Sequence, residues 1–135
     1  MALTFGVFLD AALTVPYTGA LTVISNTDGT DPPVDFHFWL GSRGSQGSNT
    51  ADRRLRKNSN PGVALITITP TDTNNAAGSH TVNELKLATT QGGLAAATPG
   101  AALNGPAQIT SGTANAYSFW ARVTSATTTI GTSTE

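Results

Sequence analysis

Apolar residues in this chain come in short runs, and turn-forming residues interrupt nearly every one of them. No segment keeps apolar positions at the 3.6-residue period of an amphipathic helix over three turns, which excludes a helical bundle. Several runs alternate instead. The clearest is Asp35-Phe36-His37-Phe38-Trp39-Leu40, where Phe36, Phe38 and Leu40 share one strand face and His37 and Trp39 the other. Residues 117–123 form a second long candidate, and 84–89 set Leu85 and Leu87 against Glu84, Lys86 and Ala88. Shorter candidates are 3–9, 21–24, 63–69, 108–111 and 128–131. Before Val63, Asn60-Pro61-Gly62 suits a type II turn: proline pre-sets φ at the second position and glycine accepts the positive φ at the third. Residues 92–103 have room for a helical turn, which Thr98-Pro99-Gly100 cuts short.

Seven or eight short strands separated by turns predict an all-β fold, a single β-sandwich domain over residues 1–135. The expected core is Phe36, Phe38, Leu40, Ile66, Ile68, Leu85, Leu87, Phe119 and Val123. Composition agrees, since Thr and Ser together supply 33 of 135 residues; Thr favours strands and Ser favours turns. Charged residues make up 11% of the chain, against about 25% in an average globular protein. A net charge of −1 removes any bulk electrostatic argument for nucleic acid or an anionic membrane. Zero cysteines exclude disulfides, thiolate metal sites and a thiol nucleophile. No run approaches the roughly 20 apolar residues that span a bilayer. The first five residues, Met1 to Phe5, lack a basic segment leading into a long apolar run, so a cytosolic origin is expected.

One segment breaks the pattern. Residues 41–60 hold five of the seven cations, Arg43, Arg53, Arg54, Arg56 and Lys57, offset only by Asp52. A polar stretch of this length between two strands reads as a long flexible loop, and its cations as a contact surface for carboxylates. No aromatics interleave with them, which argues against nucleic acid. A second polar loop, 71–81, carries Asp72, Asn74, Asn75 and His80.

Catalytic chemistry finds little to work with. His37 lies mid-strand beside Trp39 and reads as a packed, half-buried histidine, while His80 lies in a Gly/Ser loop far along the chain. No His-x-His or His-x-x-x-His pair offers metal-ligand spacing. Asp28-Gly29-Thr30-Asp31 resembles half a calcium loop without the closing acid. The glycines at 41, 44 and 47 lack the lysine and following helix of a phosphate cradle. The expectation is a protein that is not an enzyme and needs neither cofactor nor metal.

Taken in order, Phe38-Trp39-Leu40-Gly41-Ser42, Asn60-Pro61-Gly62-Val63 with Ile66-Thr67-Ile68, Glu84-Leu85-Lys86-Leu87-Ala88, Thr98-Pro99-Gly100-Ala101-Ala102-Leu103, and Phe119-Trp120-Ala121-Arg122-Val123 before Ile130-Gly131-Thr132-Ser133-Thr134 carry a resemblance. Over residues 36–135 the chain is similar to small virion proteins of tailed bacteriophages. That resemblance implies an immunoglobulin-like sandwich that decorates capsids or forms accessory tail parts. Trp39 takes the place of a strand-C core tryptophan, Tyr117-Ser118-Phe119 resembles the Tyr-x-Cys of strand F, and Val23 stands for the other cysteine. The implied function is capsid decoration, with a tail, collar or baseplate role as the alternative. The implied partners are the major capsid protein, other virion proteins and further copies of the chain, with no nucleic acid or membrane. The implied location is the virion, after synthesis in the host cytoplasm. From another class, a carbohydrate-binding module or adhesin would stack sugars on Trp39, Trp120 or Tyr117. The expected contact residues are Arg43, Arg53, Arg54, Arg56 and Lys57.

Overall fold

The computed structural model describes residues 5–19, 32–44, 54–72 and 81–124. Among them the protein is all-β. Eight strands follow one another: β1 (Gly6–Phe8), β2 (Val34–Gly41), β3 (Arg54–Arg56), β4 (Thr67–Ile68), β5 (Leu85–Ala88), β6 (Leu103–Asn104), β7 (Gln108–Thr110) and β8 (Tyr117–Val123). Single 3-10 turns at Val82–Glu84, Gly92–Leu94 and Thr113–Asn115 lie between strands. One sheet has the order β1-β2-β8-β5, and β3 with β7 and β4 with β6 make two-stranded ribbons. The chain groups into two compact units, one from Met1–Thr18, His37–Ile68 and Leu103–Phe119, the other from Gly19–Phe36, Thr69–Ala102 and Trp120–Glu135.

In the first unit, β1 runs antiparallel to the end of β2, pairing Gly6 with Gly41, Val7 with Leu40 and Phe8 with Trp39. The chain then doubles back: the Leu9 amide donates to the Val15 carbonyl at 2.9 Å and the Tyr17 amide to the Val7 carbonyl at 2.8 Å. Asp10 organises this reversal, accepting bonds from the Thr14 amide (2.8 Å), the Val15 amide (2.8 Å) and the Thr14 hydroxyl (2.6 Å). The Thr14 hydroxyl first, then the Val15 amide, hold the Asp10 carboxyl below the ordinary aspartate range. At the tip Leu13 adopts a left-handed φ of 55°, which costs about 1–2 kcal/mol in a non-glycine residue. Its side chain is driven inside, only 1% exposed. Phe38 stacks on Phe119 with ring centroids 5.3 Å apart and meets Tyr17 edge-on at 5.3 Å. Ile109 is 2% exposed.

In the second unit, β5 pairs antiparallel with the latter half of β8, from Leu85 opposite Val123 to Ala88 opposite Trp120. The Thr124 amide extends the ladder to the Glu84 carbonyl at 2.9 Å. Leu87, Ala88 and Ala121 are buried, and Leu94 is fully enclosed. The helical turn is the single 3-10 turn Gly92–Leu94, which ends before Thr98-Pro99-Gly100 is reached. Gly100 takes φ 71° and donates its amide to the Leu85 carbonyl at 2.8 Å.

Three expectations change. The 41–60 stretch is not one long loop: β2 continues to Gly41 and Arg54–Arg56 form a strand. Leu55 between two arginines is a period-two pattern that β7 completes. The strand over 63–69 contracts to Thr67–Ile68, because the Asn60 carbonyl accepts from both the Val63 and Ala64 amides and the turn runs on through Val63. The turn itself is as expected, with Gly62 at φ 78° and a 3.2 Å Val63-to-Asn60 bond. Of the expected core, Phe38, Leu87 and Phe119 are buried, whereas Phe36, Leu40, Ile66, Ile68, Leu85 and Val123 are half-buried. Trp39 is half-buried as well. The strands expected at 21–24 and 128–131 lie outside the described residues, as do Val23 and His80.

Candidate contact surface

The cations at 54–57 are placed by strand geometry. In the β3–β7 ribbon, Leu55 stands opposite Ile109, Arg54 opposite Thr110 and Arg56 opposite Gln108. Side chains alternate across a strand, so the Leu55–Ile109 pair turns to the core and Arg54, Arg56, Gln108 and Thr110 turn the other way. Burial of Ile109 fixes that choice, since slipping the register by one residue would bury the arginines. Arg54 is exposed and Arg56 half-buried. The Arg56 Nε donates to Gln108 Oε1 at 3.2 Å, and the rest of its fork has no further hydrogen bond among the described residues.

The Asn60-Pro61-Gly62 turn lies against this face. A Cβ built on Gly62 would sit 3.9 Å from Arg56 Nε and 3.9 Å from Gln108 Oε1. Lys57, itself exposed, donates from Nζ to Thr67 Oγ1 at 3.3 Å, and Thr67 Oγ1 donates to the Leu65 carbonyl at 3.4 Å. Three of the five expected contact cations, Arg54, Arg56 and Lys57, therefore belong to one surface of the first unit. Arg43 is exposed and its charge acts on Asp10, helping to lower that carboxyl's pKa. Arg53 lies outside the described residues. Gln108, Gly62 and Thr67 join the surface without having been expected there. The sole signal in the sequence was the polar pairing of Arg56 with a strand beginning at Gln108, and pairing is not legible from one strand alone.

Other polar groups are engaged structurally. Asp35 accepts from Arg122 Nε at 2.7 Å and Nη2 at 2.9 Å, and from Gln91 Nε2 at 3.1 Å. These bonds, that of Arg122 foremost, hold the Asp35 carboxyl below its ordinary range against the opposing effect of burial. His37 lies with its ring centroid 3.8 Å from that of Trp39, and burial lowers its pKa. Among the described residues no group of three His, Asp or Glu side chains is placed to hold a metal ion. No described helix is long and apolar enough to cross a membrane.

No family model matches the chain, no curated protein sequence matches it, and no solved structure matches its fold.

Proposed function

We propose that this protein is a non-enzymatic structural component of a tailed-bacteriophage virion that binds an assembled shell as a decoration or cementing protein. The observation that carries the reading is the β3–β7 ribbon. Half-buried Leu55 and buried Ile109, paired across the ribbon, anchor a face from which Arg54 and Arg56 project on the opposite side of β3. Cations held on a strand lose less conformational freedom on docking than the same cations on a loop, so contact is favoured without any chemistry. Repetition on a lattice turns modest individual contacts into lasting attachment. The run of motifs from Phe38 to Val123 that resembles small virion proteins supports the same reading. The immunoglobulin-like arrangement belongs to the proposal too, and the burial of Phe119 on β8 and half-burial of Trp39 on β2 support assigning them the strand-F and strand-C positions.

In this reading the partners are the major capsid protein, other virion proteins and neighbouring copies of the chain. Quantitative mass spectrometry of purified particles tests it. Hundreds of copies per particle support shell decoration. About a dozen or fewer transfer the role to the tail, collar or baseplate. Absence from the particles overturns both.

A further inference from the structure

Two large aliphatic side chains stand in solvent beside the cationic face. Val63 is 67% exposed and Leu65 46%. Both belong to the segment between the Asn60-Pro61-Gly62 turn and β4, and cations bracket that segment. At its start Gly62 abuts Arg56, with 3.9 Å from a built Cβ to Nε. At its end Lys57 bonds to Thr67, whose hydroxyl in turn bonds to the Leu65 carbonyl. Arg54 lies two residues along β3 on the same strand face as Arg56. From residue 53 to residue 71 the sequence has no Asp or Glu and no aromatic residue.

We infer that this patch binds an acidic segment of a protein partner, one in which carboxylates accompany aliphatic side chains. The inference rests on the contact-protein part of the reading above and names the chemistry of the partner. Charge complementarity sets the sign: Arg54, Arg56 and Lys57, in a stretch without a carboxylate, attract anions, and arginine forks match carboxylates in two-point geometry. The exposed aliphatic pair decides the class. Val63 and Leu65 gain free energy only when apolar surface covers them, and they give nucleobases no aromatic platform on which to stack. A protein segment supplies both needs. An oligonucleotide supplies only the charge, and a lipid interface is entered chiefly through aromatic anchors, of which residues 53–71 have none.

The test is titration of the full chain with a short synthetic peptide that alternates glutamate with leucine and valine. Control probes are the same peptide with Glu→Gln throughout, the same peptide with its aliphatics changed to serine, a single-stranded oligonucleotide, and vesicles of anionic phospholipid. The parent chain should prefer the acidic aliphatic peptide over every control. The double variants R54S/R56S and V63S/L65S should each weaken it by about tenfold, while melting with the parent. R54E/R56E should reverse the preference, taking a lysine version of the peptide instead. No binding by the parent, unchanged affinity in V63S/L65S, or tighter binding of the oligonucleotide or vesicles overturns the inference. Peptide binding by a chain absent from particles would overturn the virion reading alone. Presence in particles without peptide binding would overturn this inference alone.

Discussion

Arg122 holds Asp35 by two parallel hydrogen bonds, Nε to Oδ1 at 2.7 Å and Nη2 to Oδ2 at 2.9 Å, so that β8 and β2 each contribute one half of a fork-to-fork ion pair. Arg122 keeps 24% and Asp35 14% of its side chain in solvent. Because folding lowers the Asp35 pKa below its ordinary 3.8, the pair's contribution is fully present above that value and is lost as pH falls through the lower folded value. Asp10 acts with the same sign in the first unit. The lowered pKa of His37 also makes acid destabilising, at a higher pH. Urea unfolding from neutral to strongly acid pH should therefore show stability falling on acidification, and Asp35→Asn should lose less below pH 3.8 than the parent does. A parent and variant with parallel pH profiles would show that the pair is not coupled to folding.

Phe119 centres the aromatic cluster of the first unit, 5.3 Å from Phe38 and 6.4 Å from Tyr117 between ring centroids, and only 6% exposed. Phe119→Ala should cost about 3–5 kcal/mol in chemical denaturation. A loss below about 1 kcal/mol would mean that β8 turns its other face inward.

Gly41 ends β2 where any side chain would be crowded. A Cβ there would lie 3.0 Å from the Ala116 Cβ and 3.1 Å from the Leu13 Cδ1. Leu13 has a rotatable end that can yield, but the Ala116 methyl moves only with its backbone. Gly41→Ala should destabilise by about 1–3 kcal/mol, read from the urea midpoint at unchanged m-value. A neutral substitution would show that the Leu13 loop is loosely seated.

The Tyr117 hydroxyl is buried without a hydrogen-bond partner among the described residues, and burial pushes its pKa above the ordinary phenol value. Removing an unsatisfied buried polar group relieves a desolvation penalty. Tyr117→Phe should be neutral or stabilising by up to about 1 kcal/mol, measured as a change in melting temperature. Destabilisation beyond about 1 kcal/mol would mean that the hydroxyl makes a bond in solution.

The all-β class was legible because alternation in residues 34–41 and 117–123 is long enough to exclude a helix, and β8 carries the bounds expected of it. Turn chemistry was legible as well, since Pro61 and Gly62 each suit one position of a type II turn. Burial was harder to read. Leu13 is enclosed because Asp10 ties a loop around it, and nothing in Ala-Ala-Leu-Thr announces that. The contact face was half legible: the cations stood out by composition, but their order did not. Arg54-Leu55-Arg56 becomes a strand only because Gln108–Thr110, more than fifty residues away, supplies its partner. Such long-range pairing overrides local polarity.

The most direct measurement is attachment of the R54S/R56S/K57S variant to assembled particles at low and high salt, beside the parent chain. Exposed charge contacts weaken with ionic strength, so the parent should detach progressively as salt rises. The variant should bind more weakly at low salt, respond little to added salt, and keep the parent's melting temperature. Equal binding of variant and parent at both salt concentrations would contradict the account, and would place the contact elsewhere than on the β3–β7 face.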